Sequence, residues 1–186
     1  MKRSVNDIFI KDVSAYKGKR VLVRLDWNVA TDEHGNPLET ERITRTFTLL
    51  ENLSQSGAIT IVMSHLGEKG ASLLPIINFV KEKLPFVSAI EGHDFDVIKA
   101  LVEKAAPGDV LVLENIRTFD GEMDNSKFLA QRLASLGEVF INDAFSVAHR
   151  KQASVATIPH YVLSYAGPLF KEEVTHLKPL LTPELP

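Results

Sequence analysis

Short apolar runs alternate along the chain with stretches in which apolar residues recur at helical spacing. Arg20–Trp27 (RVLVRLDW), Ala58–Met63 (AITIVM), Val110–Leu113 (VLVL) and Val139–Ile141 (VFI) read as buried strands, with Phe86–Ile90 a weaker candidate. Between them, Thr44–Ser54 carries Phe47, Leu50 and Leu53 on one helical face, with Leu49 beside them, and Gly57 closes it. Ser72–Leu84 reads as a helix with Pro75 in its first turn. Asp94–Ala106 has Phe95, Ile98, Leu101 and Val102 at helical spacing before Pro107–Gly108, and Asn125–Leu136 reads as a helix ended by Gly137. The segment Thr31–Glu41 holds DEHGNP and reads as a turn-rich excursion. Strand–helix alternation of this kind predicts an α/β fold: a Rossmann-like three-layer domain around a mostly parallel, doubly wound sheet.

The polar residues fall at consistent places. RVLVRLDW runs into Asp26 and Asn28, AITIVM into Ser64 and His65, VLVL into Glu114, Asn115 and Arg117, and VFI into Asn142, Asp143, His149 and Arg150. In a parallel sheet the C-terminal strand ends lie on one edge, where open α/β folds bind ligands. Taken singly, each residue has an ordinary explanation. Asp26 or Asp143 can cap a turn or a helix, His65 can be a structural donor, and Arg117 can pair with a surface acid. Recurrence over four strand ends favours recognition of a small, multiply charged anion, to which the guanidinium fork is suited.

Composition narrows the classes. Net charge is −3, so the chain as a whole lacks the electrostatics of a nucleic-acid binder, and any anion site must be a local basic patch. The absence of cysteine excludes a disulfide scaffold, a thiolate nucleophile and a Cys-ligated metal, and is compatible with a reducing compartment. The first residues, MKRSVNDIFIKD, lack the apolar core of a signal peptide. No apolar run approaches the ~20 residues of a membrane helix. No GxGxxG follows the first strand, and GxxxxGK[ST], HExxH, GxSxG and a recognisable metal-ligand spacing are all missing. The tail KPLLTPELP is proline-rich and reads as a linker.

Five strings, GKRVLVRLDWNV, ETERITRT, MSHLG, LVLENIR with the following GE, and INDAFSVAHRKQAS, together resemble phosphoglycerate kinase, and specifically its N-terminal domain. They occur in the family's order, and GPLFKEEVTHL looks like the family's exit from that domain. The resemblance implies that residues 1–178 form the domain that binds 3-phosphoglycerate or 1,3-bisphosphoglycerate and that 179–186 begin the interdomain linker. It places Mg-ATP or Mg-ADP on a missing C-terminal domain, so no cofactor is expected in this chain. It further implies a cytoplasmic monomer with no nucleic-acid or membrane partner. Carried onto this sequence, Asp26 and Asn28 contact the carboxylate and hydroxyl end of the triose. Arg42 stabilises the transferring phosphoryl group as the catalytic residue. His65 hydrogen-bonds near the substrate carboxyl, Arg117 and Arg150 hold the far phosphate, His149 lies close by, and Asp143 orients the basic cluster. Such a set suits phosphoryl transfer, which needs positioning and cationic stabilisation more than covalent protein chemistry.

The chain departs from the family pattern in places. SHLGEKG replaces the usual SHLGRP, so Glu68 stands where a phosphate-binding arginine is usual, with Lys69 beside it and a shorter loop after it. Restoring arginine at 68 is therefore expected to tighten substrate binding. DWNVA replaces DFNVP, and Gln152 stands for the usual histidine. The alternative reading is a stand-alone, non-catalytic homologue acting as an anion-binding or interaction module.

Overall fold

The computed structural model describes residues 8–10, 12–67 and 70–178. The expectations for Glu68, Lys69 and the proline-rich tail lie outside them. Six strands, β1 (Arg20–Arg24), β2 (Ile59–Met63), β3 (Val87–Ile90), β4 (Val110–Leu113), β5 (Val139–Asn142) and β6 (Leu163–Ala166), form one sheet in the order β3-β4-β2-β1-β5-β6. Every pairing is parallel, so the sheet goes beyond the mostly parallel arrangement expected. Among the described residues six α-helices accompany it: α1 (Glu41–Thr44), α2 (Phe47–Gln55), α3 (Leu74–Lys83), α4 (Phe95–Lys104), α5 (Lys127–Ala134) and α6 (Pro168–Leu177).

Strand alternation sorts the core into two layers. Val21, Val23, Val62, Val112 and Ile141 pack against α2 and α3 on one face. Leu22, Ile61, Leu111 and Phe140 pack against α4 and α5 on the other. Burial on both faces is why the strands read as continuous apolar runs. Gly137 belongs to this packing: a Cβ there would stand 2.7 Å from Leu22 Cγ, so only glycine lets the chain pass so close to β1.

Most element ends shift by a residue or two from the sequence reading, and three of the differences have a local cause. The first strand stops at Arg24 rather than Trp27, because Leu25 N–H bonds Met63 O and Trp27 N–H then turns to Ser64 Oγ. The helix expected over 44–54 is α2, which starts later, at Phe47, and ends at Gln55, and a separate short helix, α1, precedes it. At the break between them Thr46 Oγ1 donates to Ile43 O at 2.7 Å and accepts the buried Trp27 indole N–H at 3.1 Å. That hydroxyl answers the indole's need for a partner, which is how the fold accommodates a buried tryptophan at 27. The helix expected over 125–136 is shorter. Asn125 is left-handed (φ 54°), and Ser126 is the cap, accepting from Leu129 N–H. β6 and α6 carried no expectation as regular elements.

From β1 the chain moves toward β2 on one side, whereas from β5 it moves toward β6 on the other. The crevice between the C-terminal ends of β1 and β5 is thus a topological switch point, the place where such sheets bind ligands.

Candidate functional site

Asp26 leaves β1 directly above this crevice. Its Oδ1 accepts the Asn28 N–H at 3.1 Å, and its Oδ2 accepts Arg42 Nη1 at 3.0 Å and the hydroxyl of Ser146, which follows β5. Arg42 Nη1 also donates to Asn28 O at 3.1 Å, so short α1 is pinned over the loop after β1 with its guanidinium still half exposed at 53%. Asn28 Oδ1 accepts Gly67 N–H at 2.7 Å, tying the loop after β1 to the loop after β2. Gly67 O in turn accepts Arg117 Nη1 at 2.6 Å.

These bonds close the rim of a cavity of 310 Å³ lined by Asp26, Asn28, Arg42, His65, Gly67, Arg117, Ser146, Val147 and Arg150. A broader cleft of 610 Å³ adjoins it, shares Asp26, Asn28, Arg42 and Ser146, and runs on toward Asp143 and α6. The smaller cavity is the chemically defined one. Three arginines surround it, Arg42 from α1, Arg117 from the segment after β4 and Arg150 from the segment after β5, and Asp26 is the one acid among the described residues of its lining. Arg117 is 8% exposed, and its Nε–H has no partner among the described residues. An unpaired donor on a buried cation is costly unless a ligand meets it.

The structure thus brings six of the residues singled out from sequence around one cavity: Asp26, Asn28, Arg42, His65, Arg117 and Arg150. It does not bring in His149, which is exposed and absent from the lining. Glu114 and Asn115, read as strand-end candidates, do structural work. Glu114 accepts Leu73 N–H at 2.6 Å and the Ser72 hydroxyl at 2.9 Å at the start of α3, and Asn115 bonds Leu66 O and Ala71 O. Ser146 was missed, since a lone serine in a loop carries no distinguishing signal.

Beneath the cavity lies a second layer that sequence reasoning also missed. Arg24 is fully buried. Its Nε donates to Ser154 Oγ at 3.1 Å, Nη1 to Leu25 O, and Nη2 to His65 Nδ1 at 3.1 Å. Burial lowers it to about 10, against the opposing pull of Glu122 and Asp26, so it is charged at neutral pH. His65 is 1% exposed. Burial and the neighbouring Arg24 and Arg117 charges push it down to about 3, leaving it neutral over the physiological range. A guanidinium inside an otherwise apolar strand was the signal available, since a charge is almost never buried without a purpose and a partner.

Asp143 does not orient the basic cluster. Its Oδ1 accepts Phe170 N–H at 2.9 Å in the first turn of α6, and a Cβ on Gly167 would stand 2.4 Å from that oxygen. The helix-cap reading of this aspartate is the correct one. Burial pushes its carboxyl up to about 7, outweighing the backbone N–H groups of Phe170 and Leu169 and the Arg45 charge, while Glu172 adds to the rise. A carboxyl raised from its unfolded value near 3.8 contributes stability that is complete below that value and lost as pH climbs through about 7. Asp143→Asn keeps the acceptor and removes the buried charge. It is expected to raise stability by roughly 1–4 kcal/mol at pH 8 and to change it little at pH 4. Urea unfolding at the two pH values checks this; an equal effect at both would remove Asp143 as the titrating group.

Among known proteins, residues 10–186 match the family described as phosphoglycerate kinase. The phosphoglycerate kinase of Chloroflexus aggregans is 40% identical over 182 residues, which cover 93% of this chain and 45% of that protein. The phosphoglycerate kinase of Aquifex aeolicus is 36% identical over 188 residues, 95% of this chain and 46% of that protein. The chain spans about half the length of the curated relatives it matches. The solved phosphoglycerate kinase of Coxiella burnetii superposes with a TM-score of 0.80 at 33% identity, covering 90% of this chain and 43% of that one. That of Pyrococcus horikoshii superposes at 0.83 with 22% identity, over 92% of this chain and 45% of that one, a likeness of fold.

Proposed function

Because the chain belongs to the phosphoglycerate kinase family, we propose that it forms the triose-binding half of such an enzyme and takes up 3-phosphoglycerate or 1,3-bisphosphoglycerate in the cavity at the β1/β5 crossover. The observation that carries this reading is the convergence of Arg42, Arg117 and Arg150 on one small cavity in a protein whose net charge is −3. A ligand with a phosphate at one end and a carboxylate at the other balances such a cluster, whereas an uncharged one leaves it unneutralised.

The roles follow from position. Arg117, with its unpaired Nε–H, and the exposed Arg150 fork the distal phosphate. Asp26 accepts the triose hydroxyl and Asn28 meets the neighbouring polar end. Arg42, held by Asp26 at the open side of the cavity, offsets charge on the phosphoryl group in transit. The nucleotide, as Mg-ATP or Mg-ADP, is supplied by a second half of the enzyme. Transfer between the acyl phosphate and ADP occurs when the halves meet. Glycolytic phosphoryl transfer by a cytoplasmic monomer is the whole-protein activity that fits.

Titration calorimetry with 3-phosphoglycerate, glycerate and inorganic phosphate tests the reading. Binding is expected to be tightest for 3-phosphoglycerate and to weaken as salt rises. Inorganic phosphate binding as tightly would reduce the cavity to a general anion site. The purified chain by itself is expected to give no measurable turnover of 1,3-bisphosphoglycerate with ADP. Turnover at an ordinary rate would refute the assignment of the nucleotide to a second half.

A further inference from the structure

We propose that Glu122, acting through Ser154 and Arg24, is a positioning residue that fixes His65 in the neutral form protonated on Nε2, so that His65 offers the cavity a single N–H donor. The role offered to His65 as a ligand contact rests on the triose-binding reading above; the state of the imidazole does not.

The direction of each hydrogen bond in the chain is forced. Glu122 Oε2 accepts the Ser154 N–H at 2.9 Å, and Oε1 accepts the Ser154 hydroxyl at 2.6 Å. A hydroxyl has one proton, so Ser154 Oγ must present a lone pair on its other side, where Arg24 Nε–H arrives at 3.1 Å. Arg24 is thereby held with Nη2 at 3.1 Å from His65 Nδ1. A guanidinium has no acceptor, so Nδ1 must accept and the ring proton must sit on Nε2. His65 lines the cavity, and its contacts with other described side chains run through Nδ1, which leaves Nε2 for the cavity. The buried carboxylate of Glu122 also supplies the counter-charge that lets Arg24 stay ionised without exposure to water.

The consequence is chemical selectivity. Asp26 Oδ1 lies 3.9 Å from His65 Nδ1, a pairing that would favour an imidazolium if it acted alone. Arg24 occupies Nδ1 instead and disfavours the charged ring. The ligand therefore meets an uncharged donor suited to a hydroxyl or carboxylate oxygen, and the phosphate is left to the arginines. A structural role for Glu122 alone would tie down residues 153–154 without governing which His65 nitrogen carries the proton.

Nitrogen-15 correlation spectra of His65 in the ligand-free chain test this directly. The expected spectrum shows a protonated Nε2 and an unprotonated Nδ1, unchanged between pH 5.5 and 8. In Glu122→Gln and Ser154→Ala a mixture of tautomers is expected, together with a fall in 3-phosphoglycerate affinity of about two- to tenfold, the effect of a weakened hydrogen bond. A proton on Nδ1 in the unaltered chain overturns the proposal, and this reading stands even where a variant fails to fold. Folded variants with the unaltered tautomer overturn it as well. Failure of every form to bind 3-phosphoglycerate, with the tautomer as expected, would instead count against the triose-binding reading.

Discussion

Replacing Arg24 by methionine is expected to destabilise the chain by about 3–5 kcal/mol, the range for removing one partner of a buried charge pair. Methionine fills much of the volume, so a cavity is not the main cost. What is lost is the counter-charge to Glu122 and the donors to Ser154, His65 and Leu25 O. Burial already pushes the Glu122 carboxyl up, and without Arg24 it rises further, so part of the cost appears as proton uptake rather than unfolding. For a chain of this length the midpoint of thermal unfolding should fall by roughly 6–20 °C. Trp27 is the chain's one tryptophan, is fully buried and adjoins the site, so its fluorescence reports the transition. The double variant Arg24→Met with Glu122→Gln should recover part of the loss, since the orphaned carboxylate goes with it. A loss below about 1 kcal/mol, the scale of an exposed pair, would mean that the network is not coupled as described.

The second large effect concerns binding. Arg117→Ala is expected to weaken 3-phosphoglycerate binding by about 1–3 kcal/mol, or roughly five- to 150-fold. Arg117 is held by Gly67 O through Nη1 and keeps Nε free among the described residues, so its remaining donors are already oriented. Little ordering is left to be done on binding, which favours a large effect. Arg150 is exposed, and the same substitution there should cost less. Arg117→Lys should fall between, because an ammonium keeps the charge but not the planar fork. Calorimetry on the three variants separates these outcomes. Unchanged affinity for Arg117→Ala would remove it from the site.

Much of the fold was legible because a parallel sheet buried on both faces writes each strand as an apolar run, as in VLVL over β4. β6 was not, since LSYA is an edge strand with no fully buried residue and so no apolar signature. α6 buries no residue completely either; Phe170, Val174 and Leu177 do recur at helical spacing, a signal that the sequence reading did not use. The break between α1 and α2 depends on Thr46 meeting Trp27, a contact nineteen positions apart that no local pattern encodes.

In the site, residues at strand ends were legible because topology alone gathers them on one edge. Arg42 came from the family resemblance, and its ion pair with Asp26 is what turns it toward the cavity. The buried layer was not legible. Arg24, Glu122 and Ser154 are brought together only by packing on the α4/α5 side of the sheet, and Ser154 is 130 positions from Arg24. Asp143 shows the opposite error: its place after β5 suggested the site, but the chain beyond turns back so that α6 begins on its carboxylate.

The most direct test of the central claim is the Arg117 Nε–H resonance during titration with 3-phosphoglycerate. This donor lacks a partner among the described residues and lines the proposed phosphate position. A saturable shift of that resonance, matched by those of Arg150 and Arg42 at one affinity, is the expected result. An Arg117 signal that stays in place while the ligand saturates the chain elsewhere would contradict the assignment of this cavity.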